Sequence, residues 1–438
     1  MPRMKRLALL ALSLLAGFAV ANAQMTKEYL AQHPEVAMGT DRLYYGDKST
    51  PAKPPKGYKP FYISTVARHG SRYHVDTFMY DKTRRMLAEA ERRGLLTDLG
   101  KQAKAIIDRA GELHGRHTGA LSQIGYEQSR GIAHRTYERF KSIFAKGAVI
   151  NGRSSLYPRC VLTLAAFNQG LKECEPSLDI RQRSSFGDYR TLLPNWKESY
   201  PKRYSDVYRF RGWLVKRADS ISAQQRCPKS IVRFVTDPER LEREMGLNSY
   251  EFTYDIFFRI NFARNFTDDY TDFLRENFDV DDLYAYAKHY SDYWLLRYGI
   301  VDVQGCALTI AALRPIVDDI VNHANSVLDG SEQVAAHLRC THDTYLFQLL
   351  ALMRVPECYC EGVDIDNLCM KTPICMAANM QFVFFRNKQG RVLVQILYNE
   401  ADAKINIGGN EGPFYEWQSL CNHLYDCLSH AERTAGIK

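Results

Sequence analysis

The sequence predicts an α/β fold: a mixed or parallel sheet flanked by helices, interrupted by a mostly helical insertion. Three observations predict it. Apolar β-type runs at residues 61–67, near Val149 and at 335–341 alternate with helix-forming stretches. Between about residue 186 and residue 305, β-branched alternation becomes scarce and aromatic residues recur at helical spacing. The β signal then returns at 381–385 and 392–397. A chain of 438 residues exceeds what one compact core organises. The expected division is therefore a discontinuous α/β core over 24–185 and 306–438, with a helical cap over 186–305.

The first 23 residues are set apart. Arg3, Lys5 and Arg6 form a basic stretch, residues 7–20 are apolar, and Ala21-Asn22-Ala23 offers a small-residue cleavage site before Gln24. The apolar run is short for a membrane span, and no Cys follows it to carry a lipid. The expectation is a leader over 1–23, cleavage near Ala23, and an exported periplasmic or extracellular protein without a stable membrane anchor.

Residues from Gln24 to about Lys59 are polar and hold Pro51, Pro54 and Pro55, which reads as an irregular lead-in. The strand at 61–67 runs into Arg68. The stretch 77–115, rich in Ala, Leu, Lys, Glu and Arg, reads as helical. Ser122 is placed to cap a helix reaching about Phe144. A strand near Val149 precedes a helix at 161–171. In the insertion, Ile256, Phe257 and Ile260 form one helical stripe and Leu283, Tyr286, Tyr290 and Trp294 another; packing in a helical core explains both better than an aromatic ligand cage. Helices over 307–328, a strand at 335–341 and a helix at 345–353 follow. Two strands flank the loop Asn387-Lys388-Gln389-Gly390, and a helix is expected at 414–430.

The composition bounds the function. An apolar fraction of 45% and a charged fraction of 25% suit an ordinary globular protein with a sizeable core. The formal charge is +8, and without the three leader cations it is +5. That modest excess favours small anions in a cleft, and no basic run or nucleic-acid motif points to nucleic acid. Eleven cysteines in an exported chain favour disulfides, with at least one thiol left over because the count is odd. Cys358, Cys360, Cys369 and Cys375 cluster, with Cys421 and Cys427 further on, so pairing in this group is plausible. Cys160 and Cys340 lie in apolar surroundings and read as small core residues. Asn265-Phe266-Thr267 is a glycosylation sequon should the host be eukaryotic.

Three short stretches carry chemistry. Arg68-His69-Gly70-Ser71-Arg72 follows a strand directly and places two guanidinium groups beside one imidazole. Phosphoryl transfer needs a nucleophile, cations around the equatorial oxygens and an acid for the leaving oxygen. No H-E-x-x-H is present and no metal-ligand motif accompanies these stretches, so arginines would replace a metal, and their bidentate geometry fits phosphate oxygens. Neighbouring guanidinium groups would keep His69 neutral and able to attack. In Cys340-Thr341-His342-Asp343-Thr344 a strand again gives way to a helix. Asp343 could be a helix N-cap, a proton donor, or both. Arg159, before the third helix, would alone read as a surface residue.

Together these stretches resemble the acid-phosphatase branch of the histidine phosphatases, which carries R-H-G-x-R near the start, an arginine heading a mid-chain helix, and a distant H-D or H-A-E. Arg68, His69 and Arg72 match the first motif, Arg159 the second, and His342 with Asp343 the third. Gly119-Ala120-Leu121-Ser122-Gln123-Ile124-Gly125-Tyr126-Glu127-Gln128 is similar to the family's G-x-L-T-x-x-G-x-x-Q block. Within the family, the chain looks most like the multiple inositol-polyphosphate phosphatases and bacterial phytase relatives. Tyr73, Pro158-Arg159-Cys160 and the strand running from Ala377 to Val383 carry that likeness. Two departures stand out: His74 replaces the usual Pro, and His342-Asp343 replaces His-Ala-Glu.

The resemblance implies a phosphoglycerate-mutase-like sheet and a metal-free, cofactor-free phosphomonoesterase. It implies His69 as nucleophile, Asp343 as acid and then base, and Arg68, Arg72, Arg159 and His342 as phosphate ligands. Tyr73, His74 and Thr344 are the expected substrate contacts, and the expected partner is a small anionic phosphomonoester such as an inositol phosphate. Alternatives on the same scaffold are a broad acid phosphatase or sugar-phosphate phosphatase, and, from a different class, a non-catalytic anion-binding protein.

Overall fold

The computed structural model describes residues 24–46, 50–193, 196–199, 228–299, 304–355 and 374–437, together with Lys216, Cys369 and Lys371. The stretch 1–23 expected to be a leader, Cys227, Cys358 and Cys360 lie outside the described residues. Eight strands form one sheet. Strand β1 (Lys59–Arg68) runs parallel to β4 (Ala336–Thr341), which runs parallel to β2 (Val149–Ser154), which in turn pairs in parallel with β3 (Asp179–Arg183). On the other side of β1, β5 (Asn379–Arg386) and β6 (Val392–Tyr398) are antiparallel, and β7 (Ala401–Asp402) and β8 (Phe414–Glu416) pair with β6. The order is β3-β2-β4-β1-β5-β6-β7.

The central strands are buried on both faces because helices cover both. Side-chain alternation sorts them. Tyr62, Val66, Met380, Phe382 and Phe384 join a core built with α7 (Arg314–Leu328), α8 (Asp343–Leu352) and α9 (Trp417–Thr434). Ile63, Ile150, Leu338, Val383 and Phe385 face the opposite way, against α3 (Gln123–Arg139) and α4 (Pro158–Cys174). A third apolar cluster lies apart from the sheet. It joins α1 (Asp81–Arg92) and α2 (Asp98–Gly115) to α5 (Ser249–Ala263) and α6 (Val280–Trp294). Ile256, Phe257, Ile260, Leu283 and Tyr286 are buried there, as their spacing predicts.

Several boundaries differ from the sequence reading. The helical stretch 77–115 breaks at residues 93–97, where Gly94 takes a positive φ, Leu96 bridges Val235 and Thr97 caps α2. Helix α3 begins after Ser122 but stops at Arg139, and Phe140, Ile143 and Phe144 fold into the apolar layer instead. At the chain's end, residues 414–416 pair with β6 before α9 starts at Trp417. The lead-in is not wholly irregular. Thr26 caps a helix over Lys27–Gln32, and a 3-10 segment covers Pro34–Asp41.

The eight described cysteines form no disulfides. Cys421 and Cys427 sit on one helix six residues apart, a rise of about 9 Å that a disulfide cannot span.

A buried ion cluster ties the sheet to α7. Asp319 Oδ2 accepts from Arg153 Nη2 of β2 at 2.5 Å and from Arg339 Nε of β4 at 2.6 Å. Burial pushes the Asp319 carboxyl up, but Arg339 and Arg153 outweigh it and hold the group well below the usual carboxylate range. The Asp319→Asn variant leaves two arginines without their shared anion. We expect it to lose about 3–5 kcal/mol of stability, seen as a lower urea midpoint at unchanged slope.

Candidate active site

The carboxyl ends of adjacent parallel strands bring the two chemical motifs together, where α/β sheets place ligands. Arg68 closes β1 and pairs with Thr341 of β4. The backbone of the next residue is held from both neighbours: His69 N donates to Thr341 O at 3.1 Å, and Ala377 N donates to His69 O at 2.9 Å. Thr163 of α4 links the third motif to the first. Its hydroxyl accepts from Gly70 N at 3.0 Å and donates to Arg159 O at 2.7 Å.

The loop after His69 is clamped by α3 and by the end of α5. Gln128 accepts from Ser71 N and donates to Ser71 Oγ, both at 2.9 Å, and Ser71 Oγ donates to Asn265 Oδ1 at 2.9 Å. Ser122, which caps α3, also donates to Ser71 O at 3.0 Å. Two glycines permit this closeness. A Cβ on Gly70 would stand 2.6 Å from Gly125 O, and one on Gly125 would stand 2.2 Å from Ser71 O. Backbone meets backbone here, so neither position has room for a side chain.

Arg68 is fully buried, and His69, Arg72 and His342 are nearly so. Arg68 Nη2 donates to Asp343 Oδ2 at 2.6 Å and to Asp41 Oδ1 at 3.3 Å, while its Nη1 donates to Thr40 O. Arg72 Nη2 lies 3.7 Å from the same Asp41 oxygen. Arg159, in the first turn of α4, places Nη2 3.3 Å from His342 Nδ1 and lies over the Tyr157 ring. His342 Nε2 faces Ser155 Oγ at 3.3 Å and Cys160 Sγ at 3.6 Å. Cys160 is thus both a buried core residue, as expected, and a neighbour of the site.

His69 and His342 meet edge to face, with ring centroids 5.4 Å apart. His69 Nδ1 lies 2.9 Å from Gly70 O. A carbonyl only accepts, so Nδ1 carries the proton and the lone pair is on Nε2. Burial first, then Arg68, Arg72, His342 and Arg159, holds the His69 imidazole well below its ordinary pKa. Burial pushes Asp343 upward, but Arg68, His342 and Arg72 together outweigh it, and the carboxyl lies below its ordinary value. Among the described residues, Arg68, Arg72 and Arg159 each bury an Nε that has no hydrogen-bond partner.

The remaining expected residues lie around this cluster. Tyr73 packs between His117 and Phe266, at 4.8 and 4.5 Å between ring centroids. His74 accepts from Asp76 N at 3.1 Å and leans on Phe262. Burial, then Arg72, pushes the His74 imidazole down to about 4. Thr344 N donates to Asp343 Oδ1 at 2.8 Å, so this residue is fastened to the carboxylate. Asp343 is not the N-cap of α8: that position belongs to His342, and Asp343 opens the helix itself.

Sequence reasoning missed Asp41, the carboxylate shared by Arg68 and Arg72, because it lies 27 positions before Arg68 in a segment read as irregular. It also missed Thr163 and Asn265. Asn265 is fully buried, donating to Asp41 O at 2.8 Å and to Phe262 O at 3.2 Å, so the sequon it begins cannot carry a glycan in this fold. Gly125→Ala is expected to push the Ser71 loop outward. We expect a loss of about 1–3 kcal/mol in thermal unfolding and a fall in kcat of at least tenfold, measured on the same preparation.

A family model described as the histidine phosphatase superfamily (branch 2) matches residues 62–399. Comparison with curated proteins finds no match. Among solved structures, the fold is similar to the apo form of the Bifidobacterium longum multiple inositol polyphosphate phosphatase. That likeness has a TM-score of 0.68 at 17% identity and covers 90% of this chain and 97% of that one. The same protein in complex with inositol hexasulfate gives 0.63 at 18% identity, with the same coverage. A phytase from D. castellii gives 0.59 at 12% identity, over 92% of this chain and 88% of that one. The family match spans well over half of the sequence and contains all three motifs that meet at the ends of β1 and β4: the chain belongs to branch 2 of the histidine phosphatase superfamily.

Proposed function

We propose that this phosphoric monoester hydrolase removes phosphate from inositol phosphates such as phytate, through a phosphohistidine at His69. One observation carries the reading: a buried imidazole held neutral, with its lone pair on Nε2, stands within the fields of Arg68, Arg72 and Arg159, with Asp343 bonded to Arg68. The guanidinium charges would attract a phosphoryl group and stabilise it in the transition state.

In the first step, His69 Nε2 attacks phosphorus and the P–O ester bond breaks. Asp343 gives its proton to the leaving alcohol. In the second step, water attacks the phosphohistidine, the P–N bond breaks and Asp343 takes the water's proton. One carboxyl serves both steps by microscopic reversibility. The ligand-free site holds Asp343 ionised through Arg68, and a bound phosphoryl dianion would offset that charge and favour the protonated acid. His342, held by Arg159 and Ser155, would complete the phosphate cradle.

The substrate class rests on the fold's likeness to inositol polyphosphate phosphatases and on the Tyr73 and His74 side of the site, where the charges of Arg72 and Arg259 act on His74. Export rests on the leader pattern over residues 1–23. Among the described residues, no helix is long and apolar enough to cross a membrane.

A phosphate-release panel on the purified protein tests the reading. Phytate is expected to outpace glucose 1-phosphate, and equal or faster turnover of the sugar phosphate would overturn the substrate assignment. His69→Ala should lose at least ~10⁴-fold in kcat, and quenching wild type at steady state with alkaline denaturant, in which a P–N bond survives, should trap phosphate on His69. Undiminished hydrolysis by that variant would refute the nucleophile.

The pH profile has a definite sign. The neutral form of His69 is the reactive one, and its folded pKa is lowered, so activity should persist below the ordinary imidazole value of about 6.5. Arg72→Met removes a charge that holds the value down. The acid limb of kcat/KM should therefore move to higher pH than in wild type on the same substrate.

A further inference from the structure

We propose that His323, Glu332 and His337 form a binding site for one divalent transition-metal ion of the zinc type, separate from the phosphatase site. His323 lies on α7, Glu332 in the turn after it and His337 early in β4. The spacing matches no local metal motif, so the grouping exists only in the fold. Glu332 Oε2 is 2.8 Å from His323 Nδ1, Oε1 is 3.0 Å from His337 Nε2, and the imidazole centroids are 4.2 Å apart. The ligand atoms of all three lie within 4.8 Å of one another. A tetrahedral ion with bonds of about 2.0–2.1 Å holds its donors roughly 3.3 Å apart, so small side-chain adjustments suffice.

The outer nitrogens have the partners that metal-binding histidines use. His337 Nδ1 is 2.9 Å from the Tyr62 hydroxyl, and His323 Nε2 is 3.6 Å from Asp319 Oδ1. Metal binding would place the His337 proton on Nδ1, donating to Tyr62, and the His323 proton on Nε2, facing the carboxylate. The three ligands border a cavity of about 310 Å³ shared with Asn151 and Gln182, which leaves a fourth position for water. Two imidazoles and a carboxylate favour zinc-type ions over magnesium or calcium.

Nearby arginines do not fill the site, because each has a carboxylate. Arg153 and Arg339 bind Asp319, Arg183 binds Asp188 at 3.3 Å, and Arg181 binds Asp179 at 2.6 Å. His337 stands five residues before His342, roughly 16 Å along the strand direction, so the ion would not touch the reacting phosphate. It would instead cross-link α7, the following turn and β4.

The test uses the chelator-treated full chain without a histidine tag. Calorimetric titration with Zn²⁺ should give one saturable site, Co²⁺ should show tetrahedral visible bands, and Zn²⁺ should raise the thermal midpoint. His323→Ala and Glu332→Gln should each weaken Zn²⁺ binding at least ~10-fold and abolish the cobalt bands, with phosphatase activity kept. Both residues are half-buried and Glu332→Gln keeps the side chain's shape, so folding can be checked by activity. His69→Ala should retain the site. Absence of saturable Zn²⁺ binding, binding unchanged in both variants, or binding lost with His69 would overturn the proposal and leave a hydrogen-bonded His-Glu-His cluster.

Discussion

Positive charge is concentrated in a dry pocket, and much of the surrounding structure answers that constraint. Arg68 is fully buried, Arg72 nearly so, and Arg159 lies in the first turn of α4 within reach of His342. Burying a charge is costly unless it is paired. Asp41 and Asp343 provide two carboxylates against three guanidinium groups, so the cluster keeps a positive balance. Burial, reinforced by that balance, depresses the His69 pKa, and the same charges hold Asp343 ionised. Burial also pushes the Arg72 guanidinium down to about 10, a sign of how strongly this pocket resists charge.

A pocket of this kind needs a rigid frame. The backbone of His69 is bonded to Thr341 of β4 and to Ala377 just before β5, and the Ser71 loop is locked by Gln128, Ser122 and Asn265. The frame draws on distant parts of the chain. The 3-10 segment that supplies Asp41 packs in the helical cluster with α5, whose end supplies Asn265. The helical layer therefore contributes residues to the frame of the candidate site and does not merely roof it. Gly70 and Gly125 show how tight the frame is, since a methyl group on Gly70 would meet the Gly125 backbone and one on Gly125 would meet the Ser71 backbone.

Much of the fold was legible. Strands β1, β2 and β4–β6 have apolar runs bounded by turn residues, and α3 and α4 announce themselves through the Ser122 cap and through Pro158 at a first-turn position. The errors share one physical origin. Phe140 to Phe144 has the composition of a helix but leaves it because those side chains are needed in the layer beneath α3. Residues 414–416 become a strand because β6 offers an open edge. In both places tertiary burial outweighs local propensity.

The sequence by itself determined the candidate site's inventory: a histidine with arginines at a strand end, a second arginine-bearing turn, and a histidine–aspartate pair at the start of a helix. Local chemistry suffices for that, since strand, turn and cap preferences act over a few residues. Only the tertiary structure decided which groups face one another. It selected Asp41 as the shared counter-ion, put the His69 proton on Nδ1 through the Gly70 carbonyl, buried Asn265, and gathered His323, Glu332 and His337 on the far part of β4. These outcomes depend on contacts between residues far apart in the chain and on the burial that sets their electrostatics, and neither leaves a periodic mark in the sequence.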